Sequence, residues 1–325
     1  MKEIRISKNE ENVTLIKVLL KHLPNATSSF LYKMMRKKNI VLNGKKCEGS
    51  EKLKAGDRIS VFFSEDTFNK FSGKELNKSI DKEYEYLGGL DTANFNVIYE
   101  SEDILAMNKP VGLLSQKAEK NDISANELFL SYMIKQKLLT REEYKVFKPS
   151  VANRLDRNTS GLLLFGKTIN GLHYLSDVLR DRTIDKYYIC LCEGVINKSI
   201  KASAFLMKDE KSNKVIIKDH YSQGFKEIIT EYEPISNNGK YTRLKVHLIT
   251  GKSHQIRAHL SYLGHPILGD EKYGDSNLNA KLRSEFGLNH QLLHAYEIDF
   301  KNGNKIIAPI PQIFDIIESG AKKEQ

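Results

Sequence analysis

The sequence predicts an α+β fold made of two folded parts, and three observations carry this prediction. Two helical patterns followed by short strand patterns predict a small α/β domain over residues 1–64. Over residues 95–325, short strand patterns bounded by turn residues outnumber helical ones, which is typical of a largely antiparallel mixed sheet. Residues 65–94 are polar and lack sustained apolar periodicity, so we predict a linker with room for a short helix.

The bulk composition is typical of a globular protein that works in water. The 325 residues are 40% hydrophobic and 28% charged, and no run approaches the ~20 apolar residues of a membrane span. The opening segment MKEIRI lacks the apolar core of a signal peptide. Three cysteines are a poor basis for a disulfide framework. We therefore predict a cytoplasmic protein without a membrane partner. The sequence leaves the oligomeric state open, and a monomer is the default expectation.

Positive charge is concentrated near the N-terminus. The net charge is +10, and residues 1–64 hold 14 Lys and Arg against 6 Asp and Glu. A compact basic region on a nearly neutral body favours a module that binds a polyanion. A lysine-rich soluble domain without such a partner explains the charge alone equally well.

The N-terminal part reads as two helices and two strands. Apolar residues at helical spacing predict a helix over residues 13–23, and a second helix begins near Ser28, which can cap it. Residues 40–42 and 58–63 are predicted strands, separated by Asn-Gly and Gly-Asp turns.

Three basic residues share one face of the second helix: Lys33, Arg36 and Lys37 lie at i, i+3 and i+4. Taken alone, a solvated helix face is the commoner explanation. However, residues 13–63 as a whole resemble the S4 RNA-binding domain. The resemblance implies that these three side chains contact RNA phosphates, largely by shape.

The body shows strand patterns interrupted by three helical segments. Helices are predicted near residues 124–137, 170–181 and 254–263. Strands are predicted at residues 96–100, 104–108, 161–165, 186–192, 203–205, 215–217, 228–232 and 241–248.

Some patterns in the body suggest other chemistries and are better explained by packing. Residues 161–168 match the P-loop letters G-x-x-x-x-G-K-[ST], but Leu-Leu-Leu-Phe in the middle favours a buried strand over a phosphate cradle. His254, His259 and His265 lack the spacing of a metal site. The two cysteines of the strand at 186–192 share one face, as packed core thiols do.

The densest polar segment is VANRLDRNTSG at residues 151–161. Asp156 stands between Arg154 and Arg157, and nearby positive charge should keep its carboxylate ionised. An ionised carboxylate suits a nucleophile or a base. A turn closed by an Arg–Asp ion pair explains the same residues, and the segment alone favours that structural explanation.

This segment resembles the catalytic motif H-R-L-D-x-x-T-S-G of the RluA-type family of pseudouridine synthases. The resemblance spans about residues 95–315 and implies that residues 95–325 are the catalytic domain of that family. Asn153 stands where the family has His, and Asn cannot titrate. Further matches occur in the family's order: N-K-P-x-G at 108–112, K-x-Y at 186–188, T-G-K-S-H-Q-I-R-A-H at 250–259, G-H-P-I-L-G-D at 264–270 and L-H-A at 293–295.

The resemblance implies the roles of three catalytic residues. Asp156 would attack C1′ of the ribose or C6 of the uracil, or would take a sugar proton on a glycal route. Tyr188 would stack on the uracil and help to remove the C5 proton, and Arg257 would pair with Asp156 and aim it. Neither a cofactor nor a metal is implied.

The same resemblance implies the substrate and its contacts. Arg154 would hold RNA whose target nucleotide is flipped out of the stack, and Lys109, Lys186 and His254 would also contact RNA. The S4-like part favours 23S large-subunit rRNA as the substrate. A tRNA substrate, or a non-catalytic role in RNA binding or ribosome assembly, stays open.

Overall fold

The computed structural model describes residues 2–72, 74–93, 95–209 and 214–320. The N-terminal unit, residues 2–72, contains β1 Lys2–Arg5, a 3-10 helix at Lys8–Glu10, α1 Leu15–His22, α2 Ser28–Arg36, β2 Ile40–Leu42, β3 Lys45–Lys46 and β4 Arg58–Val61. Its strands form an antiparallel sheet in the order β1-β4-β2-β3. Leu15, Leu19 and Leu31 are fully buried beneath it, which confirms the small α/β fold expected here.

Two helices occupy most of the segment predicted as a linker, and this corrects the prediction. They are α3 Glu65–Phe71 and α4 Lys74–Gly89. Apolar side chains dock each helix on a different core: Phe68 and Phe71 of α3 on that of the N-terminal unit, and Ile80, Tyr84 and Leu87 of α4 on that of the body. In α4 these residues lie at i, i+4 and i+7, but charged residues fill most positions between them and obscure the spacing.

The body, residues 74–320, is built on one large sheet. Its strands are β5 Val97–Glu100, β6 Ile104–Lys109, β7 Ser150–Val151, β8 Ser160–Gly166, β9 Asp185–Glu193, β10 Ile200–Asp209, β11 Lys214–Lys218, β12 Lys226–Asn237, β13 Tyr241–Leu248, β14 Leu293–Asp299 and β15 Lys305–Ile307. Within the described residues these form an 11-stranded sheet in the order β11-β10-β12-β13-β9-β14-β8-β6-β5, with β7 beside β8 and β15 beside β14. The pairing of β8 with β14 is parallel and the other described pairings are antiparallel, which confirms the predicted sheet.

Helices cover the sheet and close its ends. They are α5 Ala125–Lys135, α6 Arg141–Val146, α7 Ile169–Arg180, α8 Gln255–Tyr262, α9 Ser276–Phe286 and α10 Ile313–Ser319. The sequence predicts α5, α7 and α8 to within a few residues, whereas α6 and α10 are too short for periodicity to identify. Among the described residues, every helix is too short or too polar to span a bilayer.

Strand β9 separates two cores by the alternation of its side chains. Tyr188, Cys190 and Cys192 face the main core of the body, while Ile189 and Leu191 face a second cluster under α9 and α10. Both cysteines are fully buried, as expected for packed core thiols. Burial raises the pKa of each thiol, most strongly at Cys190.

The residues that match a P-loop lie in a buried strand. All seven residues of β8 are buried, and the strand pairs with β6 and β7 on one side and β14 on the other. Lys167 is also buried, and its ammonium donates to Glu100 and to the carbonyl oxygen of Ser101. Thr168 caps α7 through the amide of Gly171. The backbone amides of this segment are therefore committed to the sheet and do not form a phosphate cradle.

Gly161 allows β8 to approach β14 at their parallel junction. Its φ is +108°, and a Cβ at this position would lie 2.2 Å from the carbonyl oxygen of Ala295. Gly239 has a comparable φ of +80° with nothing within 4 Å of its would-be Cβ. Gly161 is therefore required both because its φ is positive and because a side chain would not fit, whereas at Gly239 only the positive φ favours glycine.

We predict that Gly161→Ala lowers the free energy of unfolding by roughly 3 kcal/mol or more, because it adds a backbone clash to the cost of a positive φ. Gly239→Ala should lower it by only about 1 kcal/mol. Urea unfolding of both variants measures the difference. Equal losses would contradict a steric requirement at Gly161.

Candidate active site

A cleft of about 740 Å³ opens where the loop before β8 meets the start of α8. Basic side chains surround it, and Tyr188 lies on its wall. Asp156 lies in the cleft with its side chain 28% exposed, so the carboxylate is accessible while its surroundings are largely protein. The lysines and arginines lining the cleft are Arg154, Arg157, Lys186, Lys208, Lys252, Arg257 and Lys272.

Arg257, on the first turn of α8, connects Asp156 to a second carboxylate. Its Nη1 donates to Oδ2 of Asp156 at 2.7 Å. Its Nε and Nη2 donate to the two oxygens of Asp270 at 2.6 and 2.9 Å, a bidentate pair. Burial alone would lower the pKa of Arg257, but Asp270 and Asp156 outweigh burial and leave that pKa above its usual value. The guanidinium therefore remains charged and holds one oxygen of Asp156, as the sequence predicted.

Asp270 holds Arg257 in place, a role that its sequence motif alone does not reveal. Its side chain is fully buried, and Oδ1 also accepts the backbone N–H groups of Lys272 and Tyr273. A buried carboxylate with this many donors is a fixed anchor for the guanidinium. In the sequence, Asp270 is marked only as the last residue of the G-H-P-I-L-G-D motif.

Polar contacts also fix the backbone on both sides of Asp156. Ser115 Oγ accepts the amide of Leu155 at 3.0 Å and donates to the carbonyl oxygen of the same residue at 2.9 Å. After Asp156, Gln291 donates to Thr159 Oγ1 at 3.1 Å, and Ser160 Oγ lies 2.8 Å from Nδ1 of the buried His294. The sequence carries no local signal for Ser115 or Gln291, which lie far from this loop along the chain.

Tyr188 lies in the main core and only 8% of it is exposed. Burial raises the pKa of its phenol, and the charge of Asp156 raises it further. The side chain is therefore a neutral phenol at physiological pH. It can offer a ring face and a hydroxyl in the cleft, whereas action as a phenolate base is disfavoured.

Lys109 is a correction to the predicted set of RNA contacts. Its side chain is fully buried, and Nζ donates to the carbonyl oxygens of Pro110, Leu113 and Arg157 at 2.9, 2.8 and 3.0 Å. Burial lowers the pKa of Lys109 to about 7, and Asp156 opposes that shift. Lys109 thus ties the strand end of β6 to the catalytic loop and is not available to RNA.

Three other predicted contacts do reach the cleft. Arg154 is exposed, and Lys186 is half-buried, with a pKa lowered by burial and by Arg182. His254 lies with its Nε2 4.0 Å from Oδ1 of Asp156. Lys33, Arg36 and Lys37 do not line the cleft; they are exposed at the C-terminal end of α2 in the N-terminal unit.

The histidines once considered as metal ligands have separate partners. They hydrogen-bond in three different places: His254 with the Tyr273 hydroxyl, His259 with Thr230 Oγ1 and His265 with the carbonyl oxygen of Glu193. Among the described residues, no group of three or more His, Cys, Asp or Glu is arranged to hold a metal ion.

Asn153, the departure from the family motif, serves as a hydrogen-bond acceptor. Its Oδ1 accepts the backbone amide of Leu164 in β8 at 2.8 Å, and the neighbouring amide of Ala152 donates to the carbonyl oxygen of Leu164 at 2.7 Å. Both bonds hold the segment before Asp156 against β8. An acceptor in this position needs no charge, so the exchange of His for Asn leaves the loop supported.

Comparisons with known proteins agree with this geometry. The family described as RNA pseudouridylate synthase matches residues 103–262. The ribosomal large subunit pseudouridine synthase C of Pasteurella multocida is 31% identical over 335 residues, covering 100% of this chain and 95% of that protein. The synthase D of Borreliella burgdorferi is 30% identical over 259 residues, covering 78% and 77%. The solved structure of Human RNA Pseudouridylate Synthase Domain Containing 4 shares the fold, with a TM-score of 0.54, 20% identity and coverage of 75% and 95%.

We predict that Lys109→Met lowers the free energy of unfolding by about 2–3 kcal/mol, because three buried carbonyl oxygens lose their donor. Lys120→Met, at an exposed lysine of the nearby loop, should change it by less than about 0.5 kcal/mol. Denaturant unfolding measures both. If Lys109→Met kept the wild-type stability but bound RNA more weakly, Lys109 would be an RNA contact and not a structural lysine.

Proposed function

The chain belongs to the RluA-type family of RNA pseudouridine synthases, and we propose that it converts uridine to pseudouridine in large-subunit ribosomal RNA. The observation that carries this proposal is the carboxylate of Asp156, held through one oxygen by Arg257 in a basic cleft. The relatives named above that act on the large ribosomal subunit support the choice of RNA. An RNA of this kind is consistent with a cytoplasmic protein, and we propose that the chain works as a monomer.

The reaction detaches uracil from C1′, turns it and rejoins it through C5. Asp156 supplies the carboxylate for this chemistry, and Oδ1 is the oxygen that receives no hydrogen bond from the described residues. Oδ2 is restrained by Arg257, so the free oxygen has a defined direction into the cleft. This arrangement supplies a positioned nucleophile or base without a large change in the protein.

Tyr188 and the basic rim would handle the nucleotide itself. Tyr188 presents a neutral aromatic side chain next to Asp156, which suits stacking on a uracil that has left its helix. Arg154 is exposed at the cleft and would hold the flipped nucleotide, with Lys186 and His254 beside it. Phosphate groups on either side of the target would meet the remaining lysines of the rim.

The N-terminal unit would act as a second grip on the same RNA. Its two helices and small sheet agree with an S4-like domain, and Lys33, Arg36 and Lys37 are exposed at the end of α2 without a described acidic partner. Positive side chains on a helix end can dock on an RNA backbone without reading its sequence.

We predict that Asp156→Asn and Asp156→Ala lower the single-turnover rate by at least about a thousandfold, because the nucleophilic carboxylate is lost. Binding of the RNA should stay nearly unchanged. Tritium release from 5-³H-uridine rRNA fragments measures turnover. Asp177→Asn, an exposed carboxylate on α7, is the control and should keep the wild-type rate. Substantial activity in either Asp156 variant would leave a non-catalytic role for this residue.

We predict that the combined change of Lys33, Arg36 and Lys37 to alanine weakens rRNA binding and reduces the slope of log K against log salt by up to about 3, one for each lost phosphate contact. The rate at saturating enzyme should not change. The matched control removes three exposed lysines outside the cleft, Lys198, Lys240 and Lys281. If both triple variants weakened RNA binding equally, the cause would be a general loss of positive charge and not the loss of an RNA-binding surface on α2.

A further inference from the structure

The hydroxyl group of Tyr273 lies between two partners beside the catalytic cleft. The backbone N–H of Val215 in β11 donates to it at 2.9 Å. Nδ1 of His254 lies 2.8 Å from it on the other side. Burial raises the pKa of Tyr273, so the phenol keeps its own proton. The ring also lies 5.3 Å from the guanidinium carbon of Arg257, which places Tyr273 directly behind the site.

This pair of contacts favours one tautomer of His254. A backbone N–H can only donate, so the Tyr273 oxygen accepts from Val215. The phenol's own proton is the donor that remains, and the second neighbour of the hydroxyl is Nδ1 of His254; in the arrangement that uses this donor, Nδ1 accepts it and carries no proton. A neutral imidazole has one proton on its ring nitrogens, so that proton is on Nε2.

Nε2 of His254 faces the free oxygen of the catalytic carboxylate. It lies 4.0 Å from Oδ1 of Asp156, whereas Oδ2 accepts from Arg257 at 2.7 Å. The two oxygens of Asp156 therefore have different neighbours, one a guanidinium and the other an imidazole N–H.

The backbone of His254 supports a functional role for this orientation. The residue precedes α8 with φ of 54° and ψ of 15°, a left-handed conformation that non-glycine residues adopt infrequently. Its side chain makes no capping bond to the helix. Such a conformation persists where surrounding contacts specify it, and His254 contacts Tyr273 through Nδ1 and the amide of Ala258 through its carbonyl oxygen.

The charged groups around His254 favour the neutral ring. Burial lowers the pKa of His254, Asp156 opposes this shift, and Arg257 and Lys272 lower it further, while Asp270 raises it. If the ring were protonated, a cation would face Oδ1 and Asp156 would lie between two positive groups. A carboxylate paired on both oxygens is a weaker nucleophile.

We propose that Tyr273 is a positioning residue: its hydroxyl holds His254 as a neutral imidazole whose Nε2–H faces Oδ1 of Asp156, which keeps a second cation away from the nucleophile. The inference rests on the proposed function, because it assigns a role in the reaction of Asp156. Tyr273 acts through His254 and does not touch the RNA in this role.

The test variant is Tyr273→Phe, which keeps the ring beside Arg257 and removes the hydroxyl. We expect its single-turnover rate of pseudouridine formation at pH ~7.5 to fall about tenfold, the size of effect of one lost hydrogen bond. Without the phenol donor, Nδ1 of His254 protonates more easily. The deficit should therefore grow as the pH falls from ~7.5 to ~5.5, across the ordinary pKa of His. The RNA dissociation constant should change by less than about twofold.

A double-variant cycle distinguishes this route from a loss of packing. His254→Gln replaces the ring by an amide that can still donate but cannot titrate. In that background, Tyr273→Phe should add less than about a twofold loss and no pH dependence, because coupled residues are not additive. Tyr174→Phe is the control, since Tyr174 stacks on Phe300 away from the cleft and should keep the wild-type rate. A deficit that is independent of pH and equal in both backgrounds would overturn the proposal, as would an unchanged Tyr273→Phe.

A second measurement does not depend on activity. In the wild type labelled with ¹⁵N-histidine, the His254 shifts should report the neutral Nε2–H tautomer down to pH ~5.5, below the ordinary pKa of His. The Nδ1–H tautomer or a protonated ring in the wild type at pH ~7 would overturn the proposal even if Tyr273→Phe failed to fold. A wild type that makes no pseudouridine would instead contradict the proposed function, and the ¹⁵N spectrum would still decide the orientation of His254.

Discussion

The bidentate contact of Arg257 with Asp270 is the constraint on which the geometry of the candidate active site depends. A guanidinium with a side chain only 7% exposed must have its charge balanced, and Asp270, fully buried, balances it with two short hydrogen bonds. Since Nε and Nη2 are used in this way, the planar guanidinium has a fixed orientation, and Nη1 donates to Asp156 at 2.7 Å. Asp156 is thus aimed by a group whose own position is independent of it. Breaking this pair would leave a buried charge without a partner, which costs more than the pair itself contributes.

The loop that carries Asp156 is restrained by the sheet in a complementary way. The parallel contact of β8 with β14 ends at Gly161, where the two backbones approach too closely for a side chain. Lys109 and Ser115 bind backbone groups on either side of Asp156, and Asn153 binds the edge of β8. These contacts satisfy polar groups of a short irregular segment that would otherwise be buried without partners. The backbone is consequently held on both sides of the carboxylate that Arg257 aims.

The sequence alone predicted those parts of the fold and of the site that depend on local residue patterns. Strand β13 coincides with its predicted bounds because apolar and polar residues alternate along it. Asp156 and Arg257 were predicted as a pair from the ordered motifs around them, and the structure brings their side chains together at 2.7 Å. Lys109 was misassigned because a lysine reads as a surface residue until the fold supplies three carbonyl acceptors. The role of Asn153 depends on an amide in a strand that follows the loop, so no spacing rule identifies it. What the sequence could not supply was, in each case, a contact created by tertiary structure.

Charged side chains are distributed differently on the two faces of the body's sheet, which the composition alone does not show. Alternation along β9 sends Lys186 and Tyr188 into the cleft and Asp185 and Tyr187 to the opposite face of the sheet. On that opposite face, carboxylates are paired with basic side chains, as in the contacts of His247 with Asp185 and Glu231, and of Lys245 with Glu297. The cleft face instead gathers basic side chains, among them Arg154, Arg157 and Lys186, around the carboxylate of Asp156. A nearly neutral domain can therefore attract a polyanion to one face, because the sheet separates charges that a net sum cancels.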